Sequence, residues 1–301
     1  MLDSGNALFR NAAGGANEDD RKRAHFVLDV MGRLGTKAMA VGVKDLSAGL
    51  EFLFAEGKSS GVKLLSANLR RHGKPVFDAS TVLKVGGLKV AVLGVSAPGP
   101  IIVNTPEVTA EGTVATVKDA LGKLGKRDLT VLLAATSWAD AMQLGESFKG
   151  QVDLVIQSGE FHGTIPPQRI EGSDTFVLAS GQKGQSMGKL ELGWGNGKGP
   201  VVDLSASERN RQQLELVKAQ LGRIEARLKA NHDEAQEASL KATVEQLRAR
   251  ATQLEKEIAT GEASPGRSLK LDWIVLGPQV KDDEALKAEV LKIEPTYAGS
   301  H

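Results

Sequence analysis

The sequence predicts an α/β fold of two sheets with a helical appendage, and three features carry that reading. Apolar strands alternate with amphipathic helices through the first half of the chain. Strands separated by glycines take over from about Thr175. Between Ser207 and Thr260 glycine nearly vanishes and Ala, Glu, Gln, Leu, Lys and Arg dominate.

Residues 17–34 read as a helix, because Glu18, Asp19 and Asp20 suit its positive end and Phe26, Val27, Val30, Met31 and Leu34 form one apolar face. A strand at 37–41, a short helix at 46–56 and a strand at 62–69 continue the alternation. The stretch 85–95 resembles a hairpin turned at Gly86-Gly87. A helix at 114–124, a buried strand at 129–134 and a helix at 140–148 follow. The aliphatic run from Val152 to Ile156 is an interior parallel strand, and such strands deliver functional side chains at their carboxyl ends, here Gln157 to Gly163. Beyond Thr175, strands at 176–192 and 200–204 are expected to form a second sheet packed on the first.

In the glycine-poor region, Leu214, Val217, Leu221, Ile224 and Leu228 alternate spacings of three and four. Leu240, Val244, Leu247, Ala251, Leu254 and Ile258 repeat the seam. With Asn231-His232-Asp233 between them, the two arms are expected to pack as an antiparallel coiled-coil hairpin. Pro265 stops the second arm, a strand returns at 268–276 and a short helix follows at 282–291. The expected divisions are therefore a domain over 1–205, an inserted hairpin over 206–261, and a returning strand, helix and tail over 262–301.

Bulk composition removes several function classes. With 301 residues, 41% of them hydrophobic, the chain buries a sizeable core. A net charge of +1 gives no long-range field for nucleic acid or an anionic membrane, and 4% aromatic content leaves few platforms for stacking bases. The absence of cysteine excludes disulfides and thiolate sites. No apolar run reaches membrane-spanning length.

Several segments resemble, in order and spacing, the calcineurin-like metallophosphoesterases and within them the 5′-nucleotidase and UDP-sugar hydrolase branch. Asp3-Ser4-Gly5-Asn6 is similar to the family's Asp-x-Gly-Asp segment, with Asn6 in place of the metal-bridging Asp. Gly42-Val43-Lys44-Asp45 resembles Gly-Asn-His-Asp/Glu, with Val43 replacing a ligand and Lys44 the catalytic histidine. The strand ending at Ser137-Trp138 resembles one ending in Ser-His. Gly159-Glu160-Phe161-His162 resembles Gly-His-x-His, keeping only His162. Ser66-Ala67-Asn68-Leu69, the hairpin at 85–95 and the glycine-marked strands at 176–192 resemble the 5′-nucleotidase branch in particular. The family's first strand, with its Asp-x-His, has no counterpart. The resemblance implies a four-layer α/β/β/α metallophosphoesterase-like sandwich, and its degenerate metal positions are Asn6, Val43, Lys44, Trp138, Glu160 and His162.

A dimetal centre needs several histidines and carboxylates to converge, whereas this set offers one imidazole and one carboxylate. The leading expectation is a catalytically degenerate domain without a cofactor, acting as a scaffold that holds a protein partner through the hairpin at 206–261. The alternative is a metal-dependent phosphoesterase using divalent ions, its site completed by an upstream segment. Lys44 either replaces the metal charge, paired with Glu160, or holds an anion together with His162. Gly184-Gln185-Ser186-Met187-Gly188 matches a nucleophile pattern, but an alternating strand rather than a helix follows it. The tail Tyr297-Ala298-Gly299-Ser300-His301 is similar to the lead-in of multihaem cytochrome segments, which implies an extracytoplasmic, periplasmic setting, while the absence of any Cys-x-x-Cys-His excludes haem attachment within this chain.

Overall fold

The computed structural model describes residues 1–11, 15–100, 105–160, 165–179, 185–195, 199–230, 234–262 and 266–295. Contacts divide the chain into two units, one of residues 1–187 and 275–301 and one of residues 188–274.

The first unit opens with β1 (Leu2–Asp3) and α1 (Glu18–Arg33), then β2 (Ala38–Ala40), a 3₁₀ turn (Lys44–Ala48), α2 (Leu50–Ser60) and β3 (Lys63–Leu65). The helix at 17–34 forms because Asn17 accepts the Asp20 N–H while the Asp20 carboxylate returns to the Asn17 N–H, a reciprocal capping box. The helix expected at 46–56 is instead broken at Gly49 (φ 89°), which separates the 3₁₀ turn from α2. The strand expected at 62–69 is split as well. β3 ends at Leu65 and β4 (Leu69–Arg71) starts after the interruption at Ser66-Ala67-Asn68. Asn68 is fully buried there, donating to the Ser96 and Glu111 carbonyls and accepting from the Ser96 N–H. Those side-chain bonds compete with a continuous ladder. Strands β1, β2 and β3 are parallel neighbours.

After β5 (Lys74–Pro75) comes the hairpin of β6 (Ser80–Val85) and β7 (Leu88–Ser96), closed by Gly86 and Gly87 with φ of 55° and 85°, as a two-residue hairpin turn requires. β8 (Gly99–Pro100), β9 (Val108–Ala110), α3 (Thr113–Lys123), β10 (Leu129–Ala135), α4 (Trp138–Ser147), β11 (Leu154–Ser158), β12 (Gln168–Arg169) and β13 (Phe176–Ala179) follow. One six-stranded sheet runs β12-β13-β11-β10-β7-β6, with β7, β10, β11 and β13 parallel and the two edge strands antiparallel. The strand at 176–179 thus belongs to the first large sheet rather than to a second one, because four apolar residues in a row suit a strand buried on both faces. Leu93, Val95, Leu132, Ala134, Val155 and Val177 pack beneath Val117 and Leu121 of α3 and Ala141 and Leu144 of α4.

Strand β14 (Ser186–Gly193) leads into the second unit, followed by β15 (Val201–Asp203), α5 (Leu204–Ala230), α6 (Glu234–Glu262) and β16 (Arg267–Val275). The three strands form a sheet in the order β14-β16-β15. Helix α5 starts at Leu204, earlier than the composition shift suggests, because Asp203 accepts the Ala206 N–H and pairs with Arg209. Helices α5 and α6 bury Leu214, Val217, Ala251 and Leu254 against one another. Asn210–Glu257, Gln213–Arg250, Lys218–Glu255 and Glu225–Arg248 contacts show that they run antiparallel. The connection expected at Asn231-His232-Asp233 lies outside the described residues, as do Pro265 and the tail 296–301. Helix α7 (Glu284–Ile293) closes the first unit, tied to α1 by Arg23–Glu294 and Arg33–Glu289 pairs. No described helix is long and apolar enough to cross a membrane.

Candidate functional site

Four loops leave the carboxyl ends of β1, β2, β10 and β11, where open α/β sheets assemble their sites. Two hydroxyls hold the small and large sheets together at that end. Ser158 Oγ donates to the Ser4 carbonyl at 2.6 Å, and Ser96 Oγ to the Val41 carbonyl at 2.5 Å.

Asp45 organises the first two loops. It is fully buried and accepts the backbone N–H groups of Asn6 (2.7 Å), Leu8 (3.0 Å) and Gly42 (2.8 Å). Burial pushes its carboxyl up to about 6, reinforced by the negative field of Asp3 and opposed by the three N–H groups, which favour the anion. Asp3 is also raised, by burial first, while its bond from the Gly5 N–H lowers it.

Asn6 sits in the left-handed region (φ 60°), which asparagine tolerates better than most residues. Its Oδ1 accepts the Lys44 N–H at 3.2 Å. The amide lies flat on Gly42, where an added Cβ would fall 2.3 Å from Oδ1. Its Nδ2 also comes within 3.2 Å of where a Cβ on Gly159 would stand. Asn6 therefore touches the second and fourth loops together.

The third and fourth loops meet through Glu160, whose Oε2 accepts the Trp138 N–H at 2.9 Å. Trp138 is the first residue of α4, and Ser137 caps the same helix by accepting the Asp140 N–H. Glu160 thus places a carboxylate at a positive helix end. Among the described residues no ion pair joins Lys44 to Glu160, so the internal pair expected from the sequence does not form. Buried Gln157 donates to the Thr136 carbonyl at 2.9 Å and braces the same turn. The sequence places Gln157 at the head of the functional strand end but does not give its partner, the Thr136 carbonyl. His162 lies outside the described residues, as does Gly184 of the Gly-x-Ser-x-Gly stretch; its Ser186 opens strand β14.

The structure brings Asn6, Lys44, Trp138 and Glu160 onto neighbouring loop ends, with Val43 half-buried beside Lys44. Their chemistry does not fit a two-metal centre. Val43 has no donor atom, the Trp138 indole only donates, the Lys44 ammonium repels cations, and the Glu160 carboxylate is bonded to a backbone N–H.

No family model matches the chain. It is 26% identical over 138 residues to a 5′-nucleotidase of Vibrio cholerae, a match covering 44% of this chain and 25% of that protein. Among solved structures it resembles the sulfate thiohydrolase SoxB of Thermus thermophilus, with a TM-score of 0.55 at 21% identity over 64% of this chain and 35% of that one. A 5′-nucleotidase precursor of Thermus thermophilus gives 0.53 at 23% identity, over 64% and 41%. The calcineurin-like phosphoesterase YfkN of Bacillus subtilis gives 0.51 at 19%, over 64% and 70%. At these identities the structural likeness is one of fold, and that fold is the mixed α/β architecture of calcineurin-like phosphoesterases. The stretch shared with the Vibrio protein is likewise a similarity to a 5′-nucleotidase, so sequence and fold both liken the chain to the metallophosphoesterase/5′-nucleotidase superfamily. The matched stretch spans a quarter of the curated relative's length.

Proposed function

We propose that this chain is a catalytically degenerate 5′-nucleotidase-like domain that serves as a scaffold and engages a protein partner through the helix pair at 206–261. The observation that carries the reading is the hydrogen bonding of the degenerate positions: Asn6 accepts from Lys44, and Glu160 accepts from Trp138. Loops that metal ions would hold in the superfamily are here joined by the protein's own groups. The long charged faces of α5 and α6 give the arm a surface for a partner. An extracytoplasmic setting and linkage to a multihaem cytochrome segment complete the proposal.

The test is hydrolysis of nucleoside monophosphates and of a generic phosphomonoester with added Mn²⁺, Zn²⁺ or Mg²⁺, together with metal content after dialysis. The reading expects background rates and sub-stoichiometric metal. Turnover that saturates with metal, at about two ions per chain, supports the phosphoesterase reading favoured by the activities of the relatives.

A second reading concerns anions. Lys44 is half-buried and without an ion pair to Glu160, so its ammonium is placed to hold phosphate, with His162 as the companion read from the sequence. Phosphate titration by calorimetry tests it. Binding abolished by Lys44→Met supports the site, and no heat at millimolar phosphate overturns it.

A further inference from the structure

Strand β14 lies at one edge of the three-stranded sheet, and no described strand pairs with its outer side. Gly193 stands against Ser268 and Gly188 against Leu271 and Trp273, so β14 and β16 run antiparallel. This register puts Gly188, Leu190 and Leu192 on one face with Leu269, Leu271 and Trp273, and Lys189 and Glu191 on the other. The field of Asp272 raises Lys189 and that of Lys270 lowers Glu191, after the larger effect of the Lys189–Glu191 pair itself. Lys189, Glu191 and Leu192 are all exposed.

Proteins normally guard an exposed edge with repelling charges, prolines or bulges. Between Ser186 and Gly193 this edge has no proline, and its charged residues, Lys189 and Glu191, do not present a single repelling sign. Its charges are of opposite sign and symmetric about Leu190. When two copies of the strand are laid antiparallel about that residue, Lys189 of each faces Glu191 of the other. Leu190 then meets Leu190, and Leu192 covers the gap left by Gly188. We infer that β14 is a self-complementary edge through which two copies of this chain join into one continuous six-stranded sheet, with a twofold axis at Leu190. The contact is isologous and needs no other partner. Its apolar side continues the face of Leu190, Leu271 and Trp273.

Sedimentation velocity from about 1 to about 500 μM covers the weak range expected of a small interface. A reversible monomer–dimer shift is expected. Leu190→Arg and Leu190→Glu should each sediment as folded monomers, since like charges then meet on the axis, and their equimolar mixture should dimerise again. Leu190 is only half-buried, so circular dichroism should confirm that both variants keep the native fold. Hydrogen exchange should show β14 amides gaining protection with concentration. A wild-type monomer throughout, variants that still dimerise alone, or a mixture that stays monomeric overturns the inference. A monomer whose β14 amides are protected at all concentrations also overturns it, because another strand of the same chain then covers the edge.

Discussion

The carboxylate of Glu160 accepts the backbone N–H of Trp138, joining directly two positions at which the superfamily resemblance implies histidine ligands. The loop after β11 and the start of α4 are tied by one charge-assisted hydrogen bond, and its geometry needs no ion between them.

That bond has a measurable weight. Glu160→Ala removes an anion from the N-terminus of α4 and leaves the Trp138 N–H to solvent, which should cost about 1 kcal/mol. Glu160→Gln keeps an acceptor and should cost less. Urea denaturation checks the order, and equal stability of the two variants would show that the carboxylate contributes nothing to the helix end.

Asp45 gives the site a pH dependence. Its folded carboxyl lies at about 6 and an unfolded aspartate at roughly 3.9. Between those values the folded state binds more protons, so this group's stabilising contribution is full at low pH and is lost as pH rises through about 6. A shift of this size corresponds to about 3 kcal/mol at most. Asp45→Asn removes the slope and turns an NH₂ toward one of the backbone N–H donors. The variant should therefore be less stable than the parent, and by a wider margin at pH 4.5 than at pH 7.5. A margin that grows with rising pH would mean that the three N–H groups, rather than burial, govern Asp45.

Gly42 and Asn6 should be energetically coupled. A methyl group on Gly42 collides with the Asn6 amide at 2.3 Å, and that amide is held by its bond from Lys44, so Gly42→Ala should destabilise by about 2 kcal/mol. Asn6→Gly removes the colliding group and suits the positive φ. In a double-mutant cycle the Gly42→Ala penalty should shrink markedly on the Asn6→Gly background. Additive effects would place the strain elsewhere.

Much of the fold was legible because period and composition were unambiguous. The acidic opening of α1 at Glu18-Asp19-Asp20, the Gly86-Gly87 turn and the aliphatic runs of β10 and β11 each carried a local signal strong enough to survive tertiary context. Boundaries failed where single residues interrupted an element, by a side-chain bond or by backbone conformation. Asn68 interrupts a strand by bonding across to Ser96 and Glu111, and Gly49 splits a helix by its positive φ. The resemblance to metallophosphoesterase motifs located the loop ends of the candidate site, but it could not orient Glu160. A carboxylate beside a lysine in sequence logic is free to choose a helix end in space, and here it chose Trp138. Gln157 was legible as part of the strand end, but its role, bonding the Thr136 carbonyl, was not, because it depends on a neighbouring strand.

The helix pair supplies the last prediction. Leu254 is completely buried between α5 and α6 with Leu214, Val217 and Ala251 around it, whereas the Glu225–Arg248 pair is largely exposed. Leu254→Ala should therefore cost about 2–4 kcal/mol within the pair, and Glu225→Ala should have a far smaller effect. Helices α5 and α6 belong to a different contact unit from β7 and β10. Hydrogen exchange on Leu254→Ala should show amides of both helices losing protection while those of Val92 and Leu132 keep theirs. Simultaneous loss of protection in β7 and β10 would mean that the helix pair and the large sheet unfold as one cooperative body.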